Sequence, residues 1–276
     1  MIILLAALLS MDCHAQSDSL VVVFWNVENF FSYDTGYEPS RHWNRKRFEA
    51  KCNGIAKVLF KIADGCGRFP DAVGFAEVEN CDVLKRLIGL TPLRKLDYGI
   101  IHFDSPDRRG IDCALLYRRS SLKLCEAVAG HLYDADGNVV ATRDILLARF
   151  DSLSVLVNHH PSKLGDGAES LRGTAMARLR ELCDSVGGRW LAVGDFNDDV
   201  WHNGGKGTIK YNGRWEKIDG CFSYGFSDCR EEVFADPSLL VKDSSFGGMK
   251  PRRCYVGPRY QGGISDHLPI VVKVFF

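Results

Sequence analysis

Short apolar runs recur along the chain: LVVVFWN (20–26), DAVGFAEVE (71–79), YGIIHF (98–103), IDCALLYR (111–118), ILLARF (145–150), LSVLVNHH (153–160), WLAVGDFN (190–197) and LPIVVKVFF (268–276). Their near-continuous Val, Ile and Leu content predicts strands buried on both faces. Two other segments carry a helical stripe. Phe48, Cys52, Ile55, Leu59 and Ile62 share one face of RHWNRKRFEAKCNGIAKVLFKIAD, and Leu171, Ala175, Leu179 and Leu182 share one face of ESLRGTAMARLRELCDS. Gly65 and Gly187 are expected to stop these helices. Helices precede the strands that start at 71 and 190, whereas other strands follow one another through short turns such as DADGN (134–138). That mixture predicts a mixed sheet system rather than a uniform βαβ repeat. With no linker, repeat or low-complexity tract, residues 16–276 are read as one α/β domain, a sandwich of two sheets with helices outside.

The first fifteen residues differ. MIILLAALLS is apolar and CHAQ offers small residues at Cys13 and Ala15, which predicts a signal peptide over residues 1–15, cleaved after Ala15. The run is too short to span a bilayer. No Lys or Arg precedes it, so a mis-assigned start codon or a short buried N-terminal element is the competing reading. Export to the periplasm or the medium is expected, without stable membrane association, as a monomer. Lys plus Arg and Asp plus Glu both number 35, so the whole-protein field names no partner and a dedicated duplex-binding module is disfavoured. Attraction to phosphate must come from local patches such as RHWNRKR (41–47) and KPRR (250–253), each also readable as a solvated face. Ten cysteines include no CxxC pair, so a zinc framework is not expected. Cys113, within IDCALLYR, reads as a small core residue.

The informative polar residues stand where apolar runs stop. VVVFWN ends at Asn26, with Glu28 close behind; VGFAE ends at Glu77; VLVNHHPS supplies Asn158, His159 and Ser162; LAVGDFND supplies Asp195 and Asn197; WEKID reaches Asp219; GGISDH reaches Asp266 and His267. Strand ends on one edge of a sheet system converge, and α/β proteins bind ligands there. Carboxylate and amide oxygens suit a hard cation such as Mg²⁺. Histidines beside them suit phosphate binding and proton transfer. Singly, Glu77 reads as a solvated strand end, GDFND as a turn, and Asp266 as a turn cap. Together they read as a site.

FWNVENFF (24–31), GFAEVEN (74–80), RRGIDCALLYR (108–118), VNHHPSK (157–163), GDFND (194–198), KIDGCFS (217–223) and GGISDHLP (262–269) resemble the motifs of the endonuclease/exonuclease/phosphatase superfamily, of the pancreatic-type deoxyribonuclease fold. The variant is most similar to a bacterial secreted-type branch. The resemblance implies a four-layer α/β sandwich with its site at one rim of two packed mixed sheets. It also implies Mg²⁺-dependent cleavage of phosphate esters, with Mn²⁺ or Ca²⁺ as alternative ions. By position, Glu77 corresponds to the principal metal carboxylate, completed by Asn26 and Asp266. His159, Asn197 and Arg109 correspond to phosphate contacts. Asp195 and Asn197 match the pair that handles the nucleophilic water, and His267 the second catalytic histidine, oriented by Asp219. The catalytic set is therefore His159, Asp195, Asn197, Asp219 and His267, with Asp195 and His267 rival bases. His160 receives no role. The implied activity is that of a secreted endonuclease on nucleic acid. The alternatives are a phosphatase or sphingomyelinase-like phosphodiesterase, and a non-catalytic phosphate-binding relative. The intact acid–base set argues against the last.

Overall fold

The structure, a computed structural model, describes residues 19–34, 43–163, 165, 167–198 and 207–276. The expected signal peptide over residues 1–15 lies outside them. The chain runs β1 (Ser19–Phe30), α1 (Arg45–Cys66), β2 (Ala72–Val78), α2 (Cys81–Leu90), β3 (Tyr98–His102), β4 (Asp112–Arg118), β5 (Leu124–Gly130), β6 (Ile145–Phe150), β7 (Ser154–His159), α3 (Ala168–Val186) and β8 (Trp190–Asp195). There follow β9 (Ile209–Tyr211), β10 (Arg214–Glu216), β11 (Asp219–Tyr224), β12 (Asp228–Val233), β13 (Leu240–Lys242), β14 (Met249–Pro251), β15 (Tyr255–Val256), β16 (Arg259–Tyr260) and β17 (Ile270–Phe275). Two large mixed sheets result, one ordered β12-β17-β1-β2-β4-β3 and the other β11-β8-β7-β6-β5.

The unbroken apolar runs are explained by burial on two sides. Along β1, Val21, Val23, Trp25 and Val27 pack with Phe48, Ile55 and Leu59 of α1 and with Leu84 and Leu87 of α2. The alternate residues Leu20, Val22 and Phe24 pack between the sheets, against Val155 and Val157 of β7 and Leu191 and Val193 of β8. On the far side of the second sheet, Leu147, Leu156 and Ala192 meet Ala175, Leu179 and Leu182 of α3. The layers are thus helix, sheet, sheet, helix, as expected from sequence.

Several local expectations needed correction. Helix α1 passes through Gly65 and ends at Gly67, whose φ of 70° supplies the left-handed residue a helix end requires. Gly187 does follow α3, with φ of 60°. Helix α2 was not anticipated. Its stripe is only Val83, Leu84 and Leu87, but the Asn80 side chain accepts hydrogen bonds from the Asp82 and Val83 amides and starts it. The turn at 134–138 closes as expected, with Gly137 at φ 83° and the Asp134 amide donating to Asn138 O.

The glycine pair before Asp266 serves two ends. Gly262 has φ of 66°. A Cβ on Gly263 would lie 1.7 Å from Arg252 O, so that glycine is required by close backbone approach, not by freedom. Gly263→Ala is expected to lower stability by about 3 kcal/mol, the upper range for overpacking, read from the urea midpoint at unchanged slope. A midpoint equal to the parent's would refute that close contact. Among the described residues no helix is long and apolar enough to cross a membrane, and the nine described cysteines form no disulfide.

Candidate active site

Register sets the first row of the site. His159 at the end of β7 pairs with Asp195 of β8, and Asp195 pairs with Asp219 of β11. Residues opposite one another across strands share a face. That face is the intersheet one, because Val155, Val157, Leu191 and Val193 on the same strands lie in the intersheet core. The three polar side chains therefore cap that core at its rim. Asn158 alternates away: it is fully buried, donates to Val193 O at 3.2 Å and does not join the row.

The opposing sheet delivers Asn26 and Glu77 by different routes. Asn26 continues the intersheet face of Leu20, Val22 and Phe24 by simple alternation. Glu77 does not. Alternation groups it with Val73 and Phe75, which face the helices. The pairing of β2 with both β1 and β4 shifts register here. Glu77 has φ of 63°, and Glu28 and Asn29 opposite have φ of 46° and 50°. Such conformations cost about 1–3 kcal/mol each in non-glycine residues and cluster where they re-aim a functional side chain. The Asn29 amide, freed from the ladder, donates to Glu77 Oε2 at 2.8 Å. Glu77 Oε1 faces the rim, 3.5 Å from Arg109 Nη2 and 4.0 Å from His159 Nε2.

The last corner arrives from the loop before β17. His267 Nδ1 and Asp219 Oδ2 share a hydrogen bond of 2.8 Å, with both side chains buried. The loop is pinned by Ser265 Oγ donating to Asn26 O at 2.6 Å and by Trp25 Nε1 donating to His267 O at 2.9 Å. Asp195 is the hub. Its Oδ2 accepts from Asn26 Nδ2 at 3.1 Å and lies 3.7 Å from His159 Nε2 and 3.8 Å from His267 Nε2. Its Oδ1 accepts from the Asn197 amide at 3.0 Å. Asp266 Oδ1 stands 4.0 Å from His267 Nε2, while Oδ2 pairs with Arg253 at 3.1 Å.

The nine residues given roles by the family resemblance (Asn26, Glu77, Arg109, His159, Asp195, Asn197, Asp219, Asp266 and His267) thus lie in one connected group, though Asn197 presents its amide side chain to His160 O at 2.9 Å and Asn158 turns away. Other members were missed. Arg253, read as part of a basic stretch, bonds Glu28 Oε1 at 2.7 Å as well as Asp266. Arg143, nine-tenths buried, donates to His160 O at 2.7 Å and pairs with Asp107 at 3.2 Å. Its sequence neighbourhood carries no signal beyond a cation before an apolar strand. His160 is buried edge-on against Phe196, and its contribution is the carbonyl that anchors Arg143 and Asn197.

Burial separates the titrating groups. It lifts the Asp195 carboxyl to about 7, the neighbouring Asp219 charge adding to the rise against the pull of His267 and Asn26. Burial alone lowers His267, but the charge and hydrogen bond of Asp219, with Asp195 and Asp266, outweigh it and hold the imidazole well above its usual value. His159 goes the other way, pushed well down by burial and by Arg143 and Arg109. At neutral pH the rim therefore holds one imidazolium, one neutral imidazole and one carboxyl near its midpoint.

The two mixed sheets thus open at one rim on carboxylate, amide and imidazole strand ends. The chain belongs to the Endonuclease/Exonuclease/phosphatase family, whose model matches residues 21–206. Members of this family are metal-dependent hydrolases acting on phosphoester bonds. No curated protein sequence matches significantly. Truncated TDP2 of Caenorhabditis elegans is similar in structure at 17% identity and TM-score 0.55, covering 94% of this chain and 98% of that one. A mannosyl-6-phosphatase of Bacteroides thetaiotaomicron is similar at 17% identity and TM-score 0.59, covering 93% and 100%. A beta toxin of Staphylococcus aureus is similar at 14% identity and TM-score 0.60, covering 92% and 99%. At such identities the likeness concerns the fold.

Proposed function

We propose that the protein is an exported, Mg²⁺-dependent phosphodiesterase that cleaves nucleic acid as an endonuclease. The observation that carries the chemistry is the buried Asp219–His267 pair, 2.8 Å apart, facing Asp195 with Glu77 and His159 across the same rim. The donor set fits a hard cation: Glu77 Oε1 and Asp266 Oδ1 face the rim, and Asn26 Oδ1, which accepts the Glu28 amide at 3.0 Å, keeps a second lone pair. A divalent cation held there supplies Lewis-acid polarisation of the phosphoryl oxygen and stabilises the leaving oxygen. Mn²⁺ or Ca²⁺ would satisfy the same oxygens. Asp195, Asp219 and His267 also offer ligand atoms within 4.8 Å of one another. Their direct hydrogen bond favours a proton-handling role instead.

The protein side of the reaction follows from protonation. His267, charged at neutral pH, donates Nε2–H to a phosphoryl or leaving oxygen rather than serving as base. Asp195, with its carboxyl at about 7, takes the proton of the attacking water. His159 is neutral, and its single ring proton serves as a hydrogen-bond donor to the phosphate. Arg109, half-exposed beside Glu77, meets the substrate from the solvent side.

A second reading, phosphomonoester hydrolysis, is favoured by the rim's electrostatics. Glu28 and Asp266 both engage Arg253, and the chain is neutral overall, which suits a compact substrate more than a long polyanion. Incubation of the purified protein with Mg²⁺ and plasmid DNA, RNA, sugar and inositol phosphates, or sphingomyelin decides. Nicking and linearisation of plasmid that stops in chelator is the expected result; turnover of monoesters alone would replace the first reading with the second. For export, the secreted form is expected to begin at Gln16 by N-terminal sequencing. A product retained in the cytoplasm with Met1 would remove the signal peptide from the proposal.

A further inference from the structure

A second group of ligating side chains stands outside the site, at the end of β3. His102, Asp104 and Asp112 each offer a ligand atom, all within 4.8 Å of one another. The histidine is the unusual member. Its side chain is only 4% exposed, yet it lines a cleft of about 510 Å³ together with Asn80, Cys81, Asp82, Phe103 and Asp104. Its Nε2 is bonded to Asp112 Oδ2 at 3.1 Å. Asp112 is itself held on its other oxygen by the Ser105 amide at 2.9 Å and the Ser105 hydroxyl at 2.5 Å. A carboxylate that accepts the Nε2 proton leaves Nδ1 as the lone-pair nitrogen. Nδ1 lies 3.9 Å from Asp104 Oδ1, beyond hydrogen-bond reach. Two ligands at about 2.0–2.2 Å from one ion span such a separation.

We propose that His102 Nδ1 and Asp104 form a transition-metal site, with Asp112 as the carboxylate that orients the imidazole. A carboxylate on the far nitrogen is how metal-bound histidines are held in structures generally, fixing the tautomer and raising ligand basicity. The imidazole selects an ion of the Zn²⁺ kind over Mg²⁺ or Ca²⁺. Cys81 and Asp82, at the start of α2, line the same cleft, Asp82 being paired with Lys85 at 3.0 Å. The ion would tie the start of the loop between β3 and β4 to the end of β3. The site is separate from the oxygen-rich rim around Glu77 and does not depend on the function proposed for it.

Calorimetric titration of the full chain with Zn²⁺ tests this. Asp104 is 89% exposed, so Asp104→Asn removes a ligand without risk to the core. That variant is expected to bind Zn²⁺ at least tenfold more weakly while its metal-free Tm stays at the parent value. His102→Gln is expected to lose the same binding event, and Glu77→Gln to retain it. With Co²⁺ as probe, the parent is expected to show a ligand-field band that Asp104→Asn weakens and Glu77→Gln keeps. Unchanged Zn²⁺ affinity in Asp104→Asn, no Zn²⁺ binding by the parent, or loss of all binding in Glu77→Gln would each overturn the site.

Discussion

Replacing His267 by Ala is expected to lower kcat by about 10²–10⁴-fold, the range for a positioned proton donor or acceptor. Adding Asp219→Asn to that variant is expected to cost little more. The two groups share a 2.8 Å hydrogen bond in a buried position, so Asp219 acts through the ring it holds, and residues acting as a unit are not additive. Losses that multiply in the double variant would dissolve the pair. The pH profile separates orientation from mere packing. Activity is expected to rise through about pH 7 as Asp195 ionises and to fall at higher pH as His267 loses its proton. Asp219→Asn removes the charge that raises His267, so its alkaline limb should move to lower pH. Stability follows the same sign. A histidine whose folded pKa is raised adds stability that is full below its unfolded value, about 6.5, and is lost as pH rises through the folded value. In chelator, the parent's Tm advantage over Asp219→Asn should therefore be largest in acid and narrow as pH rises. The Asp195–Asp219 repulsion, growing as Asp195 ionises, works in the same direction.

Glu77→Gln is expected to reduce activity by about 10²–10³-fold while the protein stays folded, matching the several kcal/mol that a Lewis-acid cation contributes. The amide keeps the size of the side chain and an oxygen to accept the Asn29 amide. The left-handed backbone at 77 is therefore still compensated, and only the charge is lost. The parent's Tm should rise with added Mg²⁺, because an ion that binds only the folded state stabilises it, and the variant's Tm should not respond. A variant as active as the parent, or a parent fully active in excess chelator, would remove Glu77 from the metal role. Gln at this position with a normal Mg²⁺ shift but no activity would keep the ion and relocate its carboxylate, with Asp266 the next candidate.

The sequence by itself determined the central strands of both sheets, the layer order and which polar strand ends meet at the rim, but not the short strands β9–β16 or the edge strand β5. Runs such as LVVVFWN and LSVLVNHH announce burial on two faces. Alternation then carries Asn26, His159, Asp195 and Asp219 to the intersheet rim without further instruction, and the motifs around them carry the family resemblance. What alternation could not say is where Glu77 points. By period it belongs with Phe75 against the helices, and only the paired register shift with β1 and β4, and a φ of 63°, turn it to the rim. The same holds for Arg253 and Arg143, whose partners Glu28, Asp266, Asp107 and His160 are remote in sequence and close only after folding. Protonation was equally out of reach. Nothing in the sequence marks Asp195 as a carboxyl raised to about 7, which follows because folding removes its water and sets Asp219 beside it. Local pattern determines which face a side chain takes; desolvation and long-range neighbours, which set charge, exist only once the two sheets have closed on each other.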